Sequence, residues 1–317
     1  MEFLAGLVDA DMLRTTLVVA TPLLLASLGE LLLERVGLLN LAIEGMVAVG
    51  AAVGFCLVFV LGRSAPTVIA AIVAAAVAVI LIGAIFGWLT LQLQANQITV
   101  GLALLILGLG ASSLLYRGVV GVTTTPPSIG TLPLWRIPLL SDIPYFGRIL
   151  FQHDLFVYVG LFVIVPVWWV LYRTPLGLRL RATGESPKAV DALGLPLMRL
   201  RWSALVAGCA LIGIAGSFFP LSLVGGYSDD IASGRGWLAL MLVIFGRWRP
   251  WTIAAGALLF AWVEALQFQF GVTSKAIPPQ FLRMLPYVLA IIVLVRVYGS
   301  AQAPAALTKP YDRESRF

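Results

Sequence analysis

Asn40 and Glu44 stand four residues apart in a stretch that should be purely oily: Glu34-Arg35-Val36-Gly37-Leu38-Leu39-Asn40-Leu41-Ala42-Ile43-Glu44-Gly45-Met46, with Gly29-Glu30 just before it. Residues 15–33 and 46–61 on either side are almost wholly apolar. An ionisable group in such a run is expensive in lipid, so it normally faces a protein interior or a water-filled path. A spacing of four places both side chains on one helix face. The chemistry open to them is non-covalent: holding a polar solute, or closing a gate. Glu264, the only charged residue between Arg249 and Lys275, has Gln267 near it on the same predicted helix. These four could line a polar path. Interhelical hydrogen bonding, or pairing of Glu44 with Arg35, is the plainer reading. Asn96 and Gln97, with Thr99, open a further apolar run and read equally as helix caps or path residues.

A second constellation is Ser228-Asp229-Asp230-Ile231-Ala232-Ser233-Gly234-Arg235-Gly236-Trp237. Asp229, Asp230, Gly234, Arg235 and Gly236 at membrane depth suggest a broken helix and a gate. Transporters place such breaks on the pathway, where helix ends act as partial charges. An ordinary re-entrant turn is the alternative.

Signatures of catalysis are missing. The 317 residues include one histidine, His153, so a His-Glu-x-x-His metal site is excluded. There is no Gly-x-Ser-x-Gly elbow and no Gly-x-x-x-x-Gly-Lys phosphate loop. The chain reads as neither an enzyme nor a binder of a cofactor or metal, and any ATP that drives it belongs to a separate chain. Cys56 and Cys209 lie in separate apolar runs without disulfide or metal spacing.

The elements that must position these residues are membrane helices. The chain is 60% hydrophobic and 11% charged, against about 25% charged in soluble domains. No charged residue occurs from Ser64 to Tyr116. Runs of about 20 apolar residues are what a helix needs to span the hydrocarbon core, and period-2 alternation is absent. The fold class is all-α, a polytopic transmembrane helical bundle of about eight to ten helices in a single domain. Nine spans are predicted: about 13–33, 38–60, 66–91, 97–116, 154–172, 202–222, 236–246, 251–270 and 285–299. The seventh is too short to cross alone and is expected to extend back through Ser228–Gly236 as a broken helix. Met1-Glu2-Phe3 lacks a basic region, so the first span is expected to persist in the mature protein. The net charge of +6 sits between oily runs, where topology accounts for it without nucleic acid.

Segment 173–201 carries six basic residues in 29, and segment 117–153 three in 37. The denser one belongs in the cytoplasm, with the C-terminus also inside and the N-terminus outside. The segment 117–153 holds Pro126, Pro127, Pro133, Pro138 and Pro144. These forbid a regular helix there and predict an irregular extracytoplasmic loop. Within the cytoplasmic segment, Ser186 to Gly194 reads as a complete short helix. Ser186 caps it, Pro187 takes the first position, Lys188, Ala189, Asp191 and Ala192 follow, and Gly194 stands just past the end. So short a helix needs a docking partner, either its own bundle or a cytoplasmic subunit. Gly50 with Gly54, and Gly83 with Gly87, allow close helix approach, inside one bundle or at a dimer seam.

The stretch from Glu34 to Met46 resembles the signature of permeases of the branched-chain amino acid and ribose type ABC importers, in their nucleoside-uptake branch. Leu139 to Pro144, Gly177 to Gly194, and Gly234 to Trp237 with Phe245 to Trp248 agree with it. The likeness runs from about residue 22 to 300. It implies a type II importer permease fold of about ten helices with both ends inside, or fewer in this branch. The count of nine with an outer N-terminus differs from that over residues 1–37. It also implies a multi-pass protein of the bacterial cytoplasmic membrane that forms half a pore with a second permease subunit. A cytoplasmic ATPase would drive the pore through the coupling helix Ser186–Gly194, and an extracytoplasmic binding protein or lipoprotein would deliver the solute. Nucleoside import follows, with ribose-type sugar import as the alternative. A proton-coupled carrier using Glu44 and Glu264, or an assembly protein, is the reading from another class.

Overall fold

The structure is a computed structural model that describes residues 9–122, 125–136, 138, 140–273, 279–297 and 302–311. Helices occupy all nine predicted spans. They are α1 (Ala10–Glu34), α2 (Ile43–Leu61), α3 (Ala65–Gly87, prolonged by a π turn over Trp88–Gln92) and α4 (Gln97–Val120). After the loop come α5 (Phe146–Leu150), α6 (Leu155–Phe162) and α7 (Ile164–Arg173), the last two together filling the fifth span. Next are α8 (Pro175–Glu185), α9 (Pro187–Ala192) and α10 (Leu197–Phe218, with a π turn over Phe219–Leu223). The chain ends in α11 (Arg235–Phe245), α12 (Pro250–Thr273) and α13 (Pro279–Val297). Among the described residues, six helices are long and apolar enough to cross a membrane. The start Met1-Glu2-Phe3 and the end of the chain past residue 311, for which sides of the membrane are expected, lie outside the described residues.

Helix α10 is the hub and packs on α1, α2 and α3, while α12 covers α1 and α4 covers α2. Close approach explains the small residues. A Cβ at Gly29 would lie 2.6 Å from the Gly208 carbonyl of α10. The pairs offered as a possible dimer seam are used inside this chain. Gly50 meets Gly213, Gly54 meets Ser217, and Gly83 and Gly87 meet Cys209, Leu205 and Trp202, all on α10. Both cysteines are free and buried.

The proline-rich loop folds over one end of the bundle. Two-residue strands β1 (Trp135–Arg136) and β2 (Gln152–His153) pair antiparallel, with Trp135 opposite His153. The N-terminal end of α1 lies at this end too, where Arg14 Nε donates to the Gln152 carbonyl at 3.1 Å. The segment 173–201 lies at the opposite end, its Gly184 packed against the Arg35 carbonyl. It contains two short helices rather than one. The Thr174-Pro175 pair starts α8 with the same cap-then-proline arrangement that starts α9: the Thr174 hydroxyl accepts from Gly177 N at 3.2 Å.

Candidate translocation site

Helix α11 has 11 residues. At 1.5 Å per residue it is about 16 Å long, half of a hydrocarbon core of about 30 Å. The turn that follows it is tied to the C-terminal end of α1: Trp248 Nε1 donates to Glu34 Oε2 at 2.5 Å, and Arg35 Nη2 donates to the Trp248 carbonyl at 2.5 Å. The first turn of α11 therefore sits near mid-depth. The chain does not reach that point as a helix. Residues 229–234 are turns and bends, and Gly234 is left-handed at φ +80°. The broken helix expected over Ser228–Gly236 takes the form of an irregular segment followed by a half-helix.

Glu44, at the start of α2, closes that break. Its Oε1 accepts from Gly234 N and its Oε2 from Gly236 N, each at 2.7 Å. A carboxylate here meets the free amides and the positive end of the half-helix. Gly236 is required by the approach, since a Cβ there would lie 2.6 Å from Glu44 Oε2. Arg235 forms an ion pair with Glu264 of α12, and its guanidinium lies 5.3 Å from the Phe219 ring centroid. The Tyr287 hydroxyl of α13 donates to the Ser233 carbonyl at 3.4 Å. Asp230, Ser233 and Tyr287 are exposed over this cluster. Asp229 stands apart from it and pairs with Arg117 at the end of α4, at 2.8 Å.

The structure thus brings together Glu44, Gly234, Arg235, Gly236 and Glu264, but not the remaining path candidates. Asn40 does not share a helix face with Glu44, because α2 starts only at Ile43. It is buried in the turn before it, where its Oδ1 accepts from Ala42 N at 3.1 Å and its backbone N donates to Glu30 Oε1 at 3.0 Å. Gln97 pins the same turn, accepting from Leu39 N at 2.8 Å and donating to the Gly37 carbonyl at 3.3 Å. Asn96 caps α4 through Ile98 N and Thr99 N at 3.0 and 3.1 Å. Gln267 is half-buried one turn beyond Glu264. Glu44 is not paired with Arg35, whose Nη2 goes to the Tyr172 hydroxyl and the Trp248 carbonyl at 2.9 and 2.5 Å.

Tyr287, Phe219 and Glu34 were not singled out from sequence. A tyrosine and a phenylalanine in apolar runs carry no signal of their own. Glu34 did: it is a carboxylate at the end of an oily run. It and Glu44 hold the two ends of α11 from within one signature stretch.

At the opposite end from the proline-rich loop, α9 forms as read. The Ser186 hydroxyl accepts from Ala189 N at 3.4 Å, and Gly194 is left-handed at φ +69°. Val190 is buried on the bundle, while Lys188, Ala189, Ala192 and Leu193 point outward. Asp191 accepts from the Tyr311 hydroxyl at 3.1 Å, and Tyr311 O accepts from Gln94 Nε2 at 3.2 Å. A C-terminal segment thereby ties α9 to the turn after α3.

Apolar spanning helices around a polar break define a multi-pass membrane protein built for passage. The family model described as branched-chain amino acid transport system, permease component, matches residues 12–294, and the chain belongs to that family. It is a permease component of an ABC transporter and not an enzyme. Among its relatives, the guanosine ABC transporter permease protein of Bacillus subtilis is 31% identical over 95% of this chain and 96% of its own length. The nucleoside ABC transporter permease protein of Lactococcus lactis is 35% identical, over 92% and 93%. A protein of Haloferax volcanii named provisionally as a glucose ABC transporter permease is 33% identical, over 99% of both chains. A solved structure of a metal-chelate type ABC transporter, provisionally so assigned and facing inward, shares the fold at TM-score 0.52 and 18% identity, over 91% of this chain and 85% of that one.

Proposed function

We propose that the chain is half of the translocation pore of an ATP-driven importer of nucleosides in the bacterial cytoplasmic membrane. The observation that carries the passage role is the half-helix α11, clamped by Glu34 and Glu44 with its first turn near mid-depth. A short helix between two non-helical turns can tilt or slide without unfolding a full span, which suits a gate. Asp230, Ser233 and Tyr287, exposed over its N-terminal end, offer polar groups that a lipid-facing surface would not carry. Substrate passes along this face, and Glu44 and the Arg235–Glu264 pair hold the gate rather than touch the solute. Asp229 with Arg117 latches the irregular segment to α4.

A second permease subunit supplies the other half of the pore. A cytoplasmic ATPase binds the ATP and docks on the outward side of α9, with Ser186, Pro187, Lys188, Ala189, Asp191, Ala192 and Gly194 forming the coupling element. An extracytoplasmic binding protein or lipoprotein delivers the solute over loop 117–153. ATP-driven closure of the ATPase then shifts the pore between outward and inward access. The guanosine and nucleoside relatives support the substrate class. A glucose-type sugar is the second reading, supported by the Haloferax volcanii relative.

The test is uptake in cells lacking this chain. Loss of labelled guanosine uptake with glucose and ribose uptake retained is expected. Retained nucleoside uptake with lost sugar uptake would replace the substrate assignment and leave the pore intact.

A further inference from the structure

At the loop end of the bundle, a cavity of about 860 Å³ opens between the start of α3, the start of α6 and the proline-rich loop. Its walls include Val68, Ile69 and Ile72 of α3, with Phe156 and Val159 of α6. Ile69 is 63% exposed and Val159 49% exposed, although both lie on spanning helices. A wall of this kind faces hydrocarbon. The mouth has a different chemistry. Arg63, in the turn between α2 and α3, is the one ionisable residue of the lining. It is exposed, and among the described residues neither ion pair involves it. Its guanidinium lies against Gly130 of the loop, where an added Cβ would come within 2.8 Å of Nη1. Trp135, also of the loop and 59% exposed, shares the rim.

We propose that this cavity binds an anionic glycerophospholipid, with one acyl chain along the α3–α6 wall and the phosphate on Arg63. Apolar depth and a basic mouth match the two ends of such a molecule. A tryptophan beside an arginine marks headgroup depth, because both side chains favour the membrane–water boundary. An unpaired guanidinium there can donate charge-assisted hydrogen bonds to a headgroup phosphate. A second permease subunit pressed on this wall would need no cation at the mouth, and charge complementarity therefore favours the lipid. The loop forms the roof of the cavity, so the bound lipid would steady it. The inference needs only that the chain spans a membrane, and it stands apart from the substrate assignment.

The test is native mass spectrometry of the full transporter, purified in mild detergent from membranes holding phosphatidylglycerol and phosphatidylethanolamine. One retained phospholipid per copy of this chain is expected, enriched in phosphatidylglycerol. Arg63→Gln, an exposed and conservative change, should lower that enrichment about fivefold, the worth of one net hydrogen bond to the headgroup. Ile72→Trp, which fills the cavity, should remove the retained lipid. The proposal is overturned if the wild-type transporter retains no phospholipid, if Arg63→Gln leaves the headgroup preference unchanged, or if the lipid count survives Ile72→Trp in a complex that still assembles.

Discussion

In the gating role proposed for it, Glu44 acts on the helix α11 and not on the solute. Its two oxygens satisfy two amides at the head of α11, each at 2.7 Å. In Glu44→Gln the amide oxygen keeps one of these partners and turns an NH₂ group toward the other. Charge-assisted hydrogen bonds contribute about 1.5–3 kcal/mol, so a lowered thermal midpoint and reduced uptake of the assembled complex are expected. Glu44→Leu should be worse in both. Gly236→Ala should act like Glu44→Gln, since the new Cβ would meet Oε2 at 2.6 Å. Because both changes break the same contact, their combination should be clearly less than additive. A double-mutant cycle on thermal stability checks this, and strict additivity would show that Glu44 and Gly236 act separately.

At the scale of elements, α9 and the loop hairpin each carry a prediction. The outward side of α9 presents Ala189 to solvent while Val190 anchors the helix below. Ala189→Glu should leave the permease in the membrane but reduce substrate-stimulated ATP hydrolysis of the reconstituted transporter roughly tenfold, equivalent to about 1.4 kcal/mol of lost coupling. Normal stimulation with the ATPase still bound would remove α9 from that role.

In the loop, the His153 ring is buried, its Nε2 bonded to the Ile149 carbonyl at 2.7 Å and its Nδ1 without a hydrogen bond. Burial pushes its pKa below the usual 6.5, with the Arg14 charge adding to the effect and Ile149 and Asp154 opposing it. An opened loop therefore takes up a proton that the closed loop refuses. Loop closure is unaffected well above pH 6.5 and weakens as pH falls through that value. Proteolysis of residues 140–154 should quicken between pH 7.5 and 5.5, and His153→Phe should flatten the dependence.

For the whole molecule, the two ends of the bundle have different work. One end carries the proline-rich loop, the other α8, α9 and the C-terminal segment that reaches Gly184 and Asp191. A cysteine at Ser141 should react with an impermeant thiol reagent added from outside, after outer-membrane permeabilisation where one exists, and bound delivery protein should protect it. Labelling only from the cytoplasmic side would invert the orientation drawn from the basic residues.

Composition and periodicity by themselves determined the class, the number and place of the apolar runs, and the short helix at Ser186–Gly194. The reason is local: a lipid-spanning helix satisfies its own backbone, so its length and apolarity are written in consecutive residues. Capping is equally local. The helix from Pro175 was written in the same code, as Thr174-Pro175, but its basic residues hid it within a charged segment. What Asn40, Glu44 and Gln97 do was decided only by the tertiary structure. Spacing put Asn40 and Glu44 on one face, whereas the chain turns between them: Asn40 Oδ1 is taken up locally by Ala42 N, while Glu44 and Gln97 are claimed by backbone groups far away in sequence. Glu44 is 192 residues from Gly236, and Glu34 is 214 from Trp248. A buried polar side chain announces in sequence that it must have a partner. Which partner it has depends on how the helices cross, and that is settled by packing over the whole chain.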